Sequence, residues 1–262
     1  MQVRKQQLEL DMERQTGSKS GKEYVKAVFR YFEVLGISLH HRGRGICMNY
    51  LIIGGGEVDY NFAGAVIKKG GFDVIIAVDA GMEFLYVANI LPDVIIGDFD
   101  SVHKEAFEYF KSQPQIEICS LHPEKDDTDT EHAIHYAIAH GASNITILGG
   151  TGKRLDHLLG NIALLGIGLE ESVAMELLDG NNRIRMTDQS IKIPRERQFG
   201  KYLSLIPYSG SVKDVTLKGL KYSLDHEKLG GFNARGISNE IVEEEAVIEF
   251  SDGIMLVIES RD

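Results

Sequence analysis

The chain has 262 residues, 43% of them hydrophobic and 26% charged, so it is long enough for one large domain or two ordinary ones. Its formal net charge of -11 argues against binding to the phosphate backbone of DNA or RNA. No apolar run approaches the roughly 20 residues of a membrane-spanning helix, and no signal-peptide pattern is visible. The two cysteines form neither a disulfide framework nor a metal-ligand spacing, so we expect a cytoplasmic protein.

The first 47 residues differ from the remainder of the chain. They contain nine Lys and Arg against five Asp and Glu, whereas the remainder is strongly acidic. Residues 22–35 have the spacing of an amphipathic helix, but the first strand of the alternating pattern begins directly after Met48. We expect Met48 to be the true start and residues 1–47 to be an extension with few core contacts. A functional extension is the alternative.

From Met48 the sequence alternates short apolar runs with amphipathic stretches. The runs predict strands at 50–53, 74–78, 94–96, 116–118 and 145–148. The stretches predict helices at 58–69, 82–89, 102–111, 128–140 and 155–168. This alternation is typical of a mostly parallel sheet covered on both faces, and we assign residues 48–170 to an α/β domain.

After about residue 171, strand-like runs dominate. They lie at 173–178, 183–187, 202–207, 211–217, 244–250 and 254–259, with turn signals such as Asp179-Gly180 and Asp252-Gly253 between them. Residues 171–262 are therefore predicted to form a smaller all-β domain, sandwich-like or barrel-like. The predicted fold class is α/β, with an N-terminal parallel-sheet domain and a C-terminal all-β sandwich-like domain.

The strand at 94–96 is followed by Gly97-Asp98-Phe99-Asp100-Ser101. Open parallel sheets bind ligands at the carboxyl ends of their strands, and in extended backbone the carboxylates of Asp98 and Asp100 face the same side. Two neighbouring carboxylates repel each other, and a hard cation such as Mg²⁺ relieves that repulsion. The pair predicts a metal site, with a polar loop capped by Ser101 as the alternative.

A second acidic cluster, Lys125-Asp126-Asp127-Thr128-Asp129, opens the helix predicted at 128–140. Acidic residues at a helix start often only complement the helix dipole, but three within four positions exceed that need. If both clusters lie on one edge of the sheet, five aspartates converge there and require a cation. Lys125 would then offset charge or contact a phosphate.

The segment from Gly149 to His157, Gly-Gly-Thr-Gly-Lys-Arg-Leu-Asp-His, lies between a strand and a helix. Its glycines allow backbone amides to approach phosphate oxygens, and Arg154 can clamp a phosphate with two hydrogen bonds. It matches neither a Walker A loop nor Gly-x-Gly-x-x-Gly, and alone it is better interpreted as an ordinary turn. The nine histidines show no metal-ligand spacing, and we assign none to the site.

In this order the motifs resemble those of the thiamine pyrophosphokinase family, together with Asp79-Ala80-Gly81 and Ser238-Asn239. The matching pieces extend from Met48 to the end of the chain and are specific in combination. The resemblance implies an enzyme that transfers pyrophosphate from ATP to the hydroxyl of thiamine, giving thiamine diphosphate and AMP. It further implies Mg²⁺, with ATP in residues 48–170, and a homodimer with thiamine at its interface. Residues 171–262 would bind thiamine and dimerise.

The resemblance also implies roles for individual residues. Mg²⁺ would be bound by Asp98, Asp100 and Asp129. On chemical grounds alone, any one of these three carboxylates is also a candidate acceptor for the hydroxyl proton. ATP phosphates would be contacted by Thr128 and Arg154, and the motifs themselves add Lys125, Asp126, Gly149 and Gly150 as candidate ATP contacts. The remaining substrate contacts would come from Asp79, Asp156, Tyr222, Ser238 and Asn239. Tyr222 departs from the family, which often has tryptophan in this segment, but it keeps an aromatic face for stacking.

Other functions fit parts of the pattern. Another Mg²⁺-dependent, nucleotide-using transferase with an Asp-x-Asp site would release no AMP and would not depend on thiamine. A non-catalytic nucleotide or thiamine sensor would tolerate loss of the metal-binding aspartates, which are all present. A phosphohydrolase with an aspartyl nucleophile usually carries its acid pair directly after the first strand, where this chain has Gly54-Gly55-Gly56.

Overall fold

The computed structural model describes residues 47–100, 102–122, 127–152, 154–231 and 233–262. Apart from Cys47, the extension predicted at residues 1–47 lies outside the described residues, and its role stays a prediction. The same holds for Lys125 and Asp126 of the second acidic cluster, and for Ser101 and Lys153 of the other two motifs.

Strands and helices alternate from Met48 to Leu178, and every element predicted for this half is confirmed. Its strands are β1 (Met48–Ile53), β2 (Val74–Val78), β3 (Val94–Gly97), β4 (Glu117–Ser120), β5 (Ala142–Leu148) and β6 (Ala174–Leu178). Its helices are α1 (Tyr60–Lys69), α2 (Gly81–Val87), α3 (Lys104–Lys111), α4 (Asp129–Ala139) and α5 (Leu155–Glu171). None of the helices in the described part of the chain is long and apolar enough to cross a bilayer.

These six strands are parallel and lie in the order β6-β5-β1-β2-β3-β4. β1 lies in the middle of these strands. β2, β3 and β4 follow on one side of it, and β5 and β6 lie on its other side. This reversal creates a topological switch point between β1 and β5. Open α/β sheets bind ligands in the crevice outside the carboxyl ends of the strands at such a point.

The C-terminal half is built from strands and a single described 3₁₀ turn. Its strands are β7 (Asn182–Thr187), β8 (Ile191–Pro194), β9 (Tyr202–Pro207), β10 (Ser211–Lys218), β11 (Leu224–Gly230), β12 (Asn239–Glu240), β13 (Glu245–Glu249) and β14 (Met255–Ser260). Four of them form a second sheet in the order β11-β10-β13-β8. The predicted fold class, a parallel-sheet α/β part with a sandwich-like all-β part, is confirmed.

The remaining four strands extend the first sheet across the predicted domain boundary at residues 170 and 171. β7 pairs antiparallel with β6, and β14, β9 and β12 follow in the same manner. The sequence groups β6 with the all-β part, whereas the structure pairs it parallel to β5. The described residues thus contain one ten-stranded sheet that serves both halves, and the boundary itself stays a prediction.

Three strands are absent from the sequence prediction, and each lacks the pattern that reveals a strand. β8 is four residues long and ends at Pro194, whereas β12 contains only two residues. β11 carries four consecutive polar residues, 225–228, and three of these four are exposed. Their place in the sheets depends on neighbours that are distant in the sequence.

The large sheet has a different covering on each face. One face packs against α4 and α5 in a core that extends from Tyr50 in β1 to Leu256 in β14. The opposite face packs against α1, α2 and α3 over the parallel strands and against the second sheet over β9 and β14. The second face therefore has two separate apolar clusters.

A network of charged side chains on β6, β7 and β14 lies between these two clusters. The Glu259 carboxylate is fully buried and accepts hydrogen bonds from Arg185 at 2.6 Å and from the Phe199 amide at 2.8 Å. Arg183 lies 3.6 Å from Glu259 and 3.4 Å from Glu176, so it joins the two carboxylates. The network links the last parallel strand to the antiparallel strands.

Candidate active site

The loops that leave the carboxyl ends of β1, β2 and β5 touch one another through their backbones. The Gly56 amide donates a hydrogen bond to the carbonyl oxygen of Gly149 at 3.1 Å. A β-carbon at Gly56 would collide with that same oxygen, and one at Gly81 would collide with the carbonyl oxygen of Ile53. These positions require glycine, because any side chain would separate the loops.

The acidic pair Asp98 and Asp100 follows β3 in a turn. Phe99 has a φ of +63°, and its ring packs on Phe107 with the centroids 4.7 Å apart. The Oδ1 atom of Asp98 accepts the backbone N–H of Asp100 at 3.1 Å. The premise that extended backbone aligns these two side chains is therefore wrong. A turn closed by the Asp98 carboxylate keeps the two residues together instead.

Asp79 follows β2 and lies beside that turn. Its backbone is left-handed, with a φ of +44°, and its N–H donates to the carbonyl oxygen of Ile96 at 3.1 Å. Its Oδ1 atom lies so close to Gly97 that a β-carbon there would overlap it. A non-glycine residue in this backbone region costs about 1–3 kcal/mol and is typical of functional sites. The structure thus brings Asp79 and the Asp98 pair together.

The described part of the second acidic cluster caps α4. The Thr128 hydroxyl oxygen accepts the backbone N–H of Glu131 at 3.2 Å, and Asp129 is the first residue of the helix. Burial and the negative charge of Asp127 raise the pKa of Glu131. Burial lowers the pKa of His135 despite the opposing effect of Asp127. Since β4 is the neighbour of β3, the chain leaves β4 toward α4 from the strand next to the one that precedes Asp98.

The glycine-rich loop after β5 is held by a residue that the sequence analysis missed. Asn161 lies on α5 and donates from its side-chain amide to the carbonyl oxygen of Gly150 at 2.7 Å. Gly149 has a φ of +68° and Gly152 a φ of +101°, which side chains rarely allow. The only sequence signal for Asn161 is a polar amide within an otherwise apolar stretch of helix.

Arg154 and Asp156 form an ion pair at the start of α5. The guanidinium donates to the two carboxylate oxygens at 3.1 and 2.5 Å. The hydrogen bond from Arg154 lowers the pKa of Asp156 to about 2. Both side chains are about two-thirds exposed, so the pair adds little stability and is readily exchanged for another partner.

The residues predicted to contact substrate in the C-terminal half form a second group. The ring of Tyr222 is 61% exposed, whereas Asn239 is buried. The Asn239 side chain accepts the N–H of Tyr222 at 3.0 Å and donates to its carbonyl oxygen at 2.7 Å. Ser238 is exposed, has a φ of +55° and donates its N–H to the Ser204 hydroxyl. Asn239 therefore fixes the backbone that presents the Tyr222 ring.

The two groups lie far apart within one chain. The strand order of the large sheet is β12-β9-β14-β7-β6-β5-β1-β2-β3-β4. Asn239 is in β12 at one end, and Asp98 follows β3 near the other end. The two strands are eight positions apart. Strands are spaced about 4.8 Å apart, so the two groups are separated by roughly 40 Å along the sheet. The structure brings the aspartates and glycine loops together but does not bring them to Tyr222.

Comparison with known families covers both groups. Residues 70–176 match the family model described as thiamin pyrophosphokinase, catalytic domain. Residues 188–255 match the model described as thiamin pyrophosphokinase, vitamin B1 binding domain. A thiamine pyrophosphokinase of Bacillus subtilis is 34% identical over 188 residues, which are 71% of this chain and 87% of that protein.

The chain belongs to the thiamin pyrophosphokinase family. The predicted enzyme class is thereby confirmed. Asp79, Asp98, Asp100, Asp129, Arg154 and Asp156 fall within the range of the catalytic-domain model, and Tyr222, Ser238 and Asn239 fall within the range of the binding-domain model.

Solved structures of the family share the fold. The thiamine pyrophosphokinase of Bacillus subtilis superposes with a TM-score of 0.73 at 31% identity, covering 82% of this chain and 99% of that chain. The Geobacillus thermodenitrificans family member has a TM-score of 0.71, also at 31% identity, covering 82% and 98% of the two chains. A rice relative, thiamine pyrophosphokinase 1, is 30% identical, and the chain spans 64% of its length.

Proposed function

We propose that the chain transfers pyrophosphate from ATP to the hydroxyl group of thiamine in a Mg²⁺-dependent reaction, with thiamine diphosphate and AMP as products. The observation that carries the proposal is the meeting of Asp79, the Asp98–Asp100 turn and the glycine-rich loop at one sheet edge. Backbone amides favour phosphate oxygens, while carboxylates repel them unless a cation intervenes. The site therefore suits a metal-bound polyphosphate.

Asp98, Asp100 and Asp129 would hold the Mg²⁺ ion. Across the described residues, no three acidic, histidine or cysteine side chains form a preassembled metal cage. The donor set nevertheless fits Mg²⁺, because this ion takes one or two protein carboxylates and keeps its remaining positions for water and substrate phosphate oxygens. When bound, it neutralises phosphate charge and stabilises the charge that develops during transfer.

The chain's own residues would position the phosphates. We assign these contacts to Lys125, Asp126, Thr128, Gly149, Gly150 and Arg154. Arg154 is exposed, and within the described part of the chain its guanidinium pairs with Asp156 alone, so it is available to clamp a phosphate with two hydrogen bonds. Asn161 supports the contact indirectly, since it fixes the carbonyl group of Gly150 and with it the direction of the loop.

In the reaction, the thiamine hydroxyl attacks the β-phosphorus of ATP, and AMP departs with the α-phosphate. Asp98, Asp100 or Asp129 accepts the proton of the hydroxyl group. Phosphoryl transfer requires little covalent chemistry from a protein, so holding the two reactants in line contributes more than this base.

Thiamine would be bound by the group in the C-terminal half, which consists of Tyr222, Ser238 and Asn239. Its flat ring stacks on the exposed Tyr222, a contact worth about 0.5–1.5 kcal/mol beyond the buried area. Ser238 is exposed and offers its hydroxyl to a polar ring edge. Asn239 is buried against the Tyr222 backbone, so we assign it the positioning of that ring. Asp79 and Asp156 would line the opposite side of the cleft.

The separation of the two groups supports a homodimer with shared sites. One thiamine molecule cannot reach both Tyr222 and Asp98 across roughly 40 Å of sheet. A second chain would supply the missing group. Leu155 and Leu159 on α5 are 73% and 66% exposed beside Arg154, and apolar surface next to the site suits a contact between subunits. We also place the enzyme in the cytoplasm, because Cys47 and Cys119 are free thiols.

The proposed reaction is tested by incubating the protein with ATP, Mg²⁺ and thiamine and separating the products. We expect AMP and thiamine diphosphate in equal amounts, and neither product when thiamine or Mg²⁺ is omitted. ADP with thiamine monophosphate would contradict pyrophosphate transfer. Binding of thiamine without any turnover would favour a sensor.

The shared site is tested by mixing two impaired variants, Asp100→Asn and Ser238→Ala/Tyr222→Ala, at a thiamine concentration well below the raised KM of the second variant. The C-terminal variant changes two exposed side chains, so its fold should survive. Re-formed heterodimers should recover one working site out of two. If native mass spectrometry detects heterodimers and no activity returns, each chain builds its own site.

A further inference from the structure

Glu57 lies at the switch point between β1 and β5 and has no part in the reaction described above. It follows the glycines after β1, and its side chain lies over Gly152 in the loop after β5. A β-carbon built on Gly152 would come within 2.9 Å of the Glu57 Cβ and 3.4 Å of its Oε2. Gly152 has a φ of +101°, which side chains rarely adopt, and because it is glycine no side chain of this residue separates the loop from Glu57.

The Glu57 carboxylate has no structural task comparable to those of its acidic neighbours. Asp59 caps α1 by accepting the N–H groups of Asn61 and Phe62. Asp179, in the turn after β6, accepts the N–H groups of Asn181 and Asn182. Glu57 is exposed, and among the residues that the structure describes no donor lies within hydrogen-bond distance of it.

The position of the metal-binding aspartates decides which part of ATP reaches Glu57. These aspartates follow β3 and precede α4, so the reacting phosphates lie over β3 and β4. β4 is the edge of the sheet, and no described strand lies beyond it. On the other side, the glycine loops of β1 and β5 form the crevice, two and three strand spacings from β3, or roughly 10 and 14 Å. The nucleoside therefore extends toward Glu57.

We propose that Glu57 accepts hydrogen bonds from the 2′- and 3′-hydroxyl groups of the bound nucleotide's ribose, and so selects ribonucleotides over deoxyribonucleotides. The two oxygens of a carboxylate match the two adjacent donors of a cis-diol. An acidic side chain near a glycine-rich phosphate loop has this role in dinucleotide-binding folds. This proposal rests on the proposed function for the presence of a nucleotide.

The test compares ATP, 2′-deoxy-ATP and 3′-deoxy-ATP as substrates of the wild type and of Glu57→Ala, at saturating thiamine and Mg²⁺. In the wild type, loss of either hydroxyl should raise the nucleotide KM about tenfold, the effect expected for one hydrogen bond to a charged group. Glu57→Ala removes both hydrogen bonds, so it should raise the KM for ATP by at least that factor and should no longer distinguish ATP from its deoxy analogues. Its kcat should remain within about twofold, because Glu57 does not touch the reacting atoms.

Two further variants control the interpretation. Glu57→Gln removes the charge but keeps one acceptor oxygen, so it should retain part of the discrimination. Glu170→Gln makes the same change at an exposed position near the far end of α5 and should leave every KM unchanged. Calorimetry with AMP and 2′-deoxy-AMP provides a readout that needs neither Mg²⁺ nor turnover, and the wild type should bind AMP more tightly.

The outcomes separate this proposal from the proposed function. If AMP and thiamine diphosphate form but Glu57→Ala discriminates against deoxynucleotides as strongly as the wild type, the role of Glu57 is refuted and the function stands. If no AMP forms but AMP binds in a manner that depends on Glu57, the ribose contact stands and the reaction is wrong. Failure of AMP to bind at all overturns both.

Discussion

The two groups of site residues are held in place by different means. At the carboxyl edge of the parallel strands, backbone contacts fix the loops, and glycines such as Gly56 and Gly149 permit them. In the C-terminal half, one buried side chain, Asn239, fixes the backbone of Tyr222. The loops proposed to contact the phosphates are thus fixed by the main chain, whereas the surface proposed to contact thiamine is fixed by a side chain.

The largest effect is expected in the turn after β3, when a variant removes the negative charge of Asp98 but keeps its hydrogen bond to the Asp100 N–H. Asp98→Asn keeps an Oδ1 atom that can accept the Asp100 N–H, so the turn should survive. We expect Asp98→Asn and Asp100→Asn each to lower kcat about a thousandfold at an unchanged melting temperature, because the loss is electrostatic. Asp188→Asn, at an exposed turn after β7, is the matched control and should be fully active.

Turnover near the wild-type value at saturating Mg²⁺ would show that the altered carboxylate does not bind the ion. A large drop in melting temperature would show instead that the negative charge supports the fold of the loop.

The backbone contacts between the loops after β1 and β5 are tested at Gly149. It has a φ of +68°, and a β-carbon there would come within 2.5 Å of the Gly54 carbonyl oxygen. Gly149→Ala should lower the free energy of unfolding by about 2–3 kcal/mol in urea titrations and impair turnover. Gly64→Ala in α1 meets no atom within 4 Å and should raise stability by about 0.5–1 kcal/mol. Equal stability of the two variants would refute the backbone argument.

The C-terminal group is tested by two single alanine substitutions, one at Asn239 and one at Tyr222, whose backbone Asn239 holds. Asn239→Ala leaves the Tyr222 N–H and carbonyl unpaired, so it should cost about 2 kcal/mol of stability and also raise the KM for thiamine. Tyr222→Ala should raise that KM about tenfold, leave the KM for ATP unchanged and cost almost no stability, because the ring is exposed. If Tyr222→Ala is the more destabilising change, its ring belongs to the core and not to a binding surface.

The smallest effect is expected on the second sheet, where His226 pairs with Asp214 at 2.7 Å. The hydrogen bond and charge of Asp214 raise the pKa of His226, with Asp225 adding to this and Lys218 opposing it. A raised pKa means that protonated His226 stabilises the fold below its unfolded value near 6.5, and that this gain disappears as pH rises through the folded pKa.

The wild type should therefore melt slightly above His226→Gln at pH 5.5, by less than about 2 °C, since the pair is exposed. The two proteins should melt together at pH 9. A difference that grows with pH would have the wrong sign for this pair.

The contrast between the halves also explains what the sequence predicts of the fold. β2 is predicted with its observed bounds because an apolar run bounded by turns records burial directly. β11 is missed because its polar residues face solvent. β6 is predicted as a strand but grouped with the all-β part. Its pairing with β5 joins residues that are far apart in the sequence, such as Ile145 and Met175, and a local pattern does not reveal such a pairing.

For the site, the sequence identifies charge and composition but not geometry. Asp98 and Asp100 are recognisable because acidic residues follow a buried strand, whereas the left-handed backbone of Phe99 leaves no sequence signal. Asn161 and Glu57 are overlooked because single polar residues next to glycines or within an apolar helix are common. Their positions depend on the loop that each one touches.

The unbroken sheet has a mechanical consequence. Hydrogen bonds run from β4 to β12 without a gap, and the buried Glu259 clamps β7 and β14 with two arginines and the Phe199 amide. The sheet has no hinge between β6 and β7, because bending there would break the main-chain hydrogen bonds between these strands and expose the buried Glu259 carboxylate. In the proposed homodimer, nucleotide entry and product escape would then depend on the short segments at the rim of the sheet, or on movement of one protomer against the other.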